Sequence, residues 1–117
     1  MNLKEIQFAY RNLQMAFKTN LGQYAVVLPA AHVVHGDGNA TLAMNIQVDK
    51  RVFSKLVQEF RGGNQVDRED GPHLRIETRM FGLIDIVAAS YPTMMKNEVL
   101  VMTPEAISLK IDRAGNK

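Results

Sequence analysis

The run from Thr41 to Val48 constrains this chain more than any other stretch. Leu42, Met44, Ile46 and Val48 alternate with Thr41, Ala43, Asn45 and Gln47. That is the period of two a half-buried β-strand imposes, because successive side chains leave a strand on opposite faces. The aliphatic set predicts a core face and the other set a wet one. Just upstream stand Gly36, Asp37, Gly38 and Asn39, residue types that tolerate positive φ and suit a hairpin turn. Before them "YAVVLPAAHVV" reads as extended, with Pro29 marking an edge or a bend. The expected starting unit is therefore a β-hairpin.

Two histidines, His32 and His35, flank that turn together with Asp37. On a strand, residues three apart point to opposite faces and cannot chelate one ion. A helix would bring them together, but Val33, Val34 and the following glycines argue against one. His73, far away in sequence, carries no spacing information. No metal site and no cofactor are expected. The absence of cysteine excludes disulfides, thiol catalysis and thiolate zinc sites.

Two segments carry helical periodicity. Leu3, Ile6, Tyr10, Leu13 and Phe17 recur at spacings of three and four, with Asn2 as N-cap and Glu5 closing a capping box. Phe8 and Met15 fall beside that stripe, so the apolar surface is broader than one packing face needs. In the second helix Asp49 is the cap, Val52, Phe53, Leu56, Val57 and Phe60 form the stripe, and Gly62 and Gly63 end it. Lys50, Arg51 and Lys55 lie off the stripe and read as a solvated face. The polar segment "NQVDREDGP" reads as a mobile loop. After it, Leu74 and Ile76 alternate with Arg75, Glu77 and Arg79, and "MFGLIDIVAAS" offers a second extended run. "NEVLVMTPEAISLKI" gives two short strands around a single turn capped by Thr103 and begun by Pro104, with residues 108–111 extended again. The predicted fold class is α+β, a mostly antiparallel sheet with two helices in a single domain over residues 1–112. Residues 113–117 are expected to be a flexible tail.

At 117 residues the chain is long enough to bury a core without staples. With 46% hydrophobic and 22% charged residues it reads as globular. A net charge of +2 is too weak to imply a nucleic-acid partner. No apolar run approaches the roughly 20 residues that span a bilayer, and the N-terminus has no apolar leader. A cytoplasmic protein is the expectation.

Catalytic signals are thin. No serine stands in a Gly-x-Ser-x-Gly elbow, and "RGGNQ" follows a helix and lacks the lysine of a phosphate loop. Asp85, in "GLIDIVA", is the one acid inside an apolar strand. Buried there it could serve as an acid or base. The alternative is that it faces outward or pairs with Arg75 or Arg79 across the sheet. Those arginines would suggest an RNA-binding face only with exposed aromatics beside them, and Phe81 alone is not enough.

From about Asp49 to Ile111, about half the chain, the order of features resembles the C-terminal part of tailed-phage major capsid proteins, the fold shared with encapsulins. The resembling pieces are the helix "DKRVFSKLVQEF", the charged loop, the strand "HLRIETRMFGLIDIVAAS" with its Phe-Gly corner, the bend "YPTMM" and the closing "NEVLVMTPEAISLKI". Members of that family are longer, with an N-terminal arm, a long helix and an extended loop that this chain lacks. The resemblance implies a shortened capsid relative or a head-associated assembly protein. Such a protein works through subunit contacts with itself or a larger capsid-like assembly, in the host cytoplasm or the virion. It carries over no catalytic residues.

The functional expectation is accordingly non-enzymatic, with Phe8, Met15, Tyr10 and Phe17 as contact residues and no nucleic-acid or membrane partner. A small regulatory or inhibitory protein-binding module is the alternative. An enzyme using Asp85, the histidines or the basic helix is the third class.

Overall fold

The computed structural model describes the backbone of residues 1–115 and the side chains of residues 1–111. Its centre is the strand the alternation predicts, although that strand spans Met44–Val48 only. It is β2 in chain order, flanked by β1 (Ala25–Val26) and β5 (Gly82–Ala88). All five β2 residues are buried, so neither face is wet. Leu42, read as part of the core face, lies before the strand and is 83% exposed.

Seven strands form one mixed sheet in the order β3-β4-β5-β2-β1-β7-β6, completed by β3 (Asn64–Arg68), β4 (Gly71–Thr78), β6 (Thr93–Lys96) and β7 (Val99–Met102). β2 runs parallel to β5, and β1 parallel to β7; the other neighbours are antiparallel. The described residues include four α-helices: α1 (Leu3–Asn12), α2 (Ala30–Val34), α3 (Lys50–Glu59) and α4 (Pro104–Gly115). The expected two-helix, mostly antiparallel sheet is thus replaced by a mixed one. The cause lies in the connections. Between β2 and β5 the chain passes through α3 and the β3–β4 hairpin, a crossover long enough to bring β5 back parallel, and central strands in such a layout are covered on both faces.

Three local readings change for identifiable reasons. In the segment 24–34 expected to be extended, Ala25–Val26 does form β1, but Ala30–Val34 becomes α2 after a cis Leu28–Pro29 bond. Val33 and Val34 disfavour a helix by only a few tenths of a kcal/mol each, and burial of Ala30, Ala31, Val33 and Val34 overrides that preference. Residues 36–39 consequently link α2 to β2 and do not turn a hairpin. The "mobile loop" is the β3–β4 hairpin, turning at Glu69 and Asp70 with Gly71 at φ +112°. An edge strand pairs through its backbone and needs little apolar pattern. Finally, Thr103 does cap a turn, its Oγ1 accepting from Ala106 N at 3.2 Å with Pro104 at the first helical position. The helix then continues to Gly115, so residues 108–111 are helical. The expected tail over 113–117 begins inside α4, and residues 116 and 117 lie outside the described residues.

The capped helices form as their sequences dictate. Asn2 and Glu5 exchange backbone-to-side-chain bonds of 3.0 Å at the start of α1, and Asp49 accepts from Arg51 N at 2.8 Å at the start of α3. Ile6 and Ala9 from the first, Leu13 from the 3-10 turn that follows it, and Phe53 and Leu56 from the second enter one core with Met44, Ile46, Ile84 and Ile86. Among the expected contact residues, Phe17 is buried, edge-on to Phe60 at 5.6 Å, and Tyr10 is half-buried against Tyr24. Phe8 and Met15 are 47% and 69% exposed.

Leu56→Ala is expected to cost about 2–5 kcal/mol, and Lys50→Ala less than about 0.5 kcal/mol, in urea unfolding. Gly63→Ala is also expected to destabilise, because its Cβ would stand 2.9 Å from both the Phe60 carbonyl oxygen and Leu74 Cδ1.

Candidate active site

β2 divides its side chains between two faces. Met44, Ile46 and Val48 form one row, and Asn45 and Gln47 the other. The register extends the second row across the sheet, since Asn45 pairs with Asp85 and Asp85 with Arg75, while Gln47 pairs with Val87 and Val87 with His73. A polar lane therefore crosses three strands. Asn45, Gln47 and Asp85 are all buried, so each needs a partner.

The partners come from distant segments. Asn45 Oδ1 accepts from the backbone N–H of Ala30, at the start of α2, at 3.1 Å. Gln47 clamps the backbone of Tyr91, accepting from its N–H at 2.9 Å and donating to its carbonyl at 3.1 Å. Asp85 Oδ1 lies 2.5 Å from His73 Nδ1, and its Oδ2 lies 3.6 Å from Arg75 Nε. His73 Nε2 is 2.7 Å from Asp70 Oδ1, and Asp70 Oδ2 accepts from Lys110 Nζ at 2.9 Å. Lys110 also lies over the Tyr91 ring, 5.3 Å from its centre. The result is a chain of alternating charge: Arg75, Asp85, His73, Asp70, Lys110. A carboxylate only accepts, so a doubly protonated imidazole would donate to both acids.

Burial alone would push the Asp70 carboxyl up. The hydrogen bonds from His73 and Lys110, and their positive charge, outweigh it and hold Asp70 below the ordinary carboxylate range. Burial likewise disfavours the Lys110 cation, but the bond to Asp70 and its charge, with help from Tyr91, raise Lys110 above the usual lysine value.

These groups line an open groove of about 470 Å³ between the lane, the α2 entry and α4. Arg68, His32 and Thr41 complete its wall. Asp70 and Lys110 also line a second, more apolar groove of about 670 Å³ beside α4. Two buried polar atoms on groove residues, Thr41 Oγ1 and Arg75 Nε, have no hydrogen-bond partner.

Of the residues flagged in the sequence, Asp85 takes a central place, paired with Arg75 as one reading anticipates and with His73 in addition. His32 lines the groove, whereas His35 turns away, its Nε2 at 2.8 Å from the Met102 carbonyl oxygen. Sequence reasoning missed His73, Asp70, Lys110, Asn45 and Gln47. The available signal was the pair of amides in β2, legible as polar residues but not as buried ones. A divalent cation finds poor ligands here, since each oxygen of Asp70 and Asp85 already faces a ring nitrogen or a cationic side chain. Among the described residues no group of three or more His, Asp or Glu side chains is arranged to hold a metal.

No protein-family model matches the chain, and no curated protein matches it. Among solved structures it is similar to a crystal structure of the lincosamide antibiotic adenylyltransferase LnuA with lincomycin bound. The TM-score is 0.58 at 13% identity, over 93% of this chain and 85% of that one. This likeness of fold overturns the capsid resemblance. The pieces read as capsid helix, loop and closing strands are α3, the β3–β4 hairpin, and β7 followed by α4. The phage assembly role falls with it, as does the protein-binding module that shared its premise of a chain without chemistry. The non-enzymatic reading rested on the lack of any gathered set of acid and base side chains, and the fold brings Asp85, His73 and Asp70 together in one.

Asp70 gives this site a pH signature. A depressed carboxylate contributes stability that is present above its unfolded pKa of about 3.9 and is lost as pH falls through the lower folded value. Asp70→Asn should therefore flatten the acid limb of a plot of urea midpoint against pH below about 4. An unchanged acid limb in the variant would show that the pairing contributes nothing.

Proposed function

We propose that this chain is a group-transfer enzyme that moves a nucleotidyl group, such as adenylyl, from a nucleoside triphosphate to a small hydroxyl compound. The observation that carries this reading is the meeting of two features. Nearly the whole chain follows the fold of an adenylyltransferase, and one open groove on that fold gathers a carboxylate–imidazole–carboxylate string with Arg68, Arg75 and Lys110.

The chemistry follows from the geometry. Asp85 holds Nδ1 of His73 and so fixes the ring, the orienting role a buried acid plays for a general base. Asp70 occupies Nε2 from the tip of the β3–β4 hairpin. An acceptor hydroxyl that displaces Asp70 meets Nε2 directly, and Asp70 keeps its bond to Lys110. As Asp70 is displaced, the Nε2 proton leaves to solvent, and the neutral ring, its Nδ1–H still held by Asp85, takes the hydroxyl proton as the oxygen attacks the α-phosphorus. The new O–P bond forms, the bond to pyrophosphate breaks, and the leaving charge develops beside Arg68, Arg75 and Lys110. Preorganised cations at that position stabilise the transition state more than the ground state. No helix among the described residues is long and apolar enough to cross a membrane, and a chain without cysteine suits the cytoplasm.

The test is calorimetric titration with ATP, GTP, CTP and UTP, followed by transfer of α-labelled phosphate into small molecules of a cell extract. At least one nucleotide should bind with a sub-millimolar Kd, weakened about tenfold to a hundredfold in Arg75→Ala, since a hydrogen bond to a charged group contributes about 1.5–3 kcal/mol. His73→Ala should lower label transfer by about a hundredfold or more. If no nucleotide binds at millimolar concentration, the reading fails.

A further inference from the structure

We infer that the groove takes its nucleotide as a metal-free polyanion, with arginine and lysine side chains carrying the charge that a divalent cation carries in most phosphoryl chemistry. The inference rests on the transferase reading and specifies the form in which that enzyme accepts its donor. Magnesium in such sites is held by one or two carboxylates together with the substrate's phosphates. Here the carboxylates are spoken for. Asp85 has one oxygen on His73 and the other 3.6 Å from the Arg75 cation, and Asp70 faces His73 in the free protein and Lys110 throughout the proposed reaction. The two acids also stand on opposite ring nitrogens of His73, which point away from each other, so they cannot converge on one ion.

The lane offers no other anionic ligand. At the two buried β2 positions the side chains are the neutral amides of Asn45 and Gln47, and their oxygens accept from Ala30 and Tyr91 backbone N–H groups. The groove also lacks the excess negative charge that sets divalent affinity. Arg68, Arg75 and Lys110 are matched by Glu69, Asp70 and Asp85. Arg75 points the same way: its Nε stands at ion-pair distance from Asp85 but makes no hydrogen bond, so it keeps a donor that an anion can satisfy, on a cationic side chain that repels a metal ion. Arginine presents phosphate with a planar fork of donors.

The experiment measures nucleotide affinity by calorimetry in EDTA and in excess Mg²⁺, and separately titrates the protein alone with Mn²⁺ by electron paramagnetic resonance. The same affinity or a higher one in EDTA, with no Mn²⁺ bound at millimolar concentration, is the expected result. Binding about tenfold tighter with Mg²⁺, or a stoichiometric Mn²⁺ site, would overturn the inference and leave the transferase reading standing. Failure to bind any nucleotide under both conditions would remove that reading and this inference with it.

Discussion

A carboxylate in the middle of a sheet cannot stand alone, and Asp85 is the group on which the polar half of this molecule depends. Its neighbours Ile84 and Ile86 point into the core, which fixes Asp85 on the opposite face beside Asn45 and Arg75. At 7% exposure its charge must be compensated from the protein. His73 and Arg75 on β4 do so, and His73 in turn recruits Asp70 from the hairpin tip and, through it, Lys110 from α4. A string of close contacts thus ties the central sheet to the hairpin tip and the last helix.

Buried ion pairs seldom add net stability, because desolvation offsets the attraction. A chain of them is therefore better understood as a device for position and charge. Asp85 sits among strands that cannot move without breaking the sheet, while Asp70 sits on a two-residue turn. In the proposed transfer reaction Asp85 is the partner of His73 that stays in place, and Asp70 the one that an incoming hydroxyl would replace.

Parts of this were legible from neighbouring residues. Asn2 with Glu5, and Asp49 before its apolar stripe, mark helix starts whose caps form as read. The alternation around Ile46 marks the central strand, and the acid interrupting "GLIDIVA" marks the carboxylate that matters most. Other parts were misread because they depend on coverage. Asn45 and Gln47 look solvated in a pattern of period two, and they are buried because α2 and the Tyr91 segment supply backbone partners from elsewhere. Val33 and Val34 look like strand, and become helix because the core accepts them in that form.

What the sequence by itself determined is the set of local elements that neighbouring residues specify: the capped helices α1 and α3, and the strands β2 and β5. Caps and periodicities are satisfied within a few residues, so they can be read within a few residues. Tertiary structure alone decided the parallel pairing of β2 with β5, the state of residues 30–34 and 104–115, and the site itself. His73 lies twelve positions from Asp85, and Lys110 forty from Asp70. Only the order of strands in the sheet brings their charges within hydrogen-bonding distance.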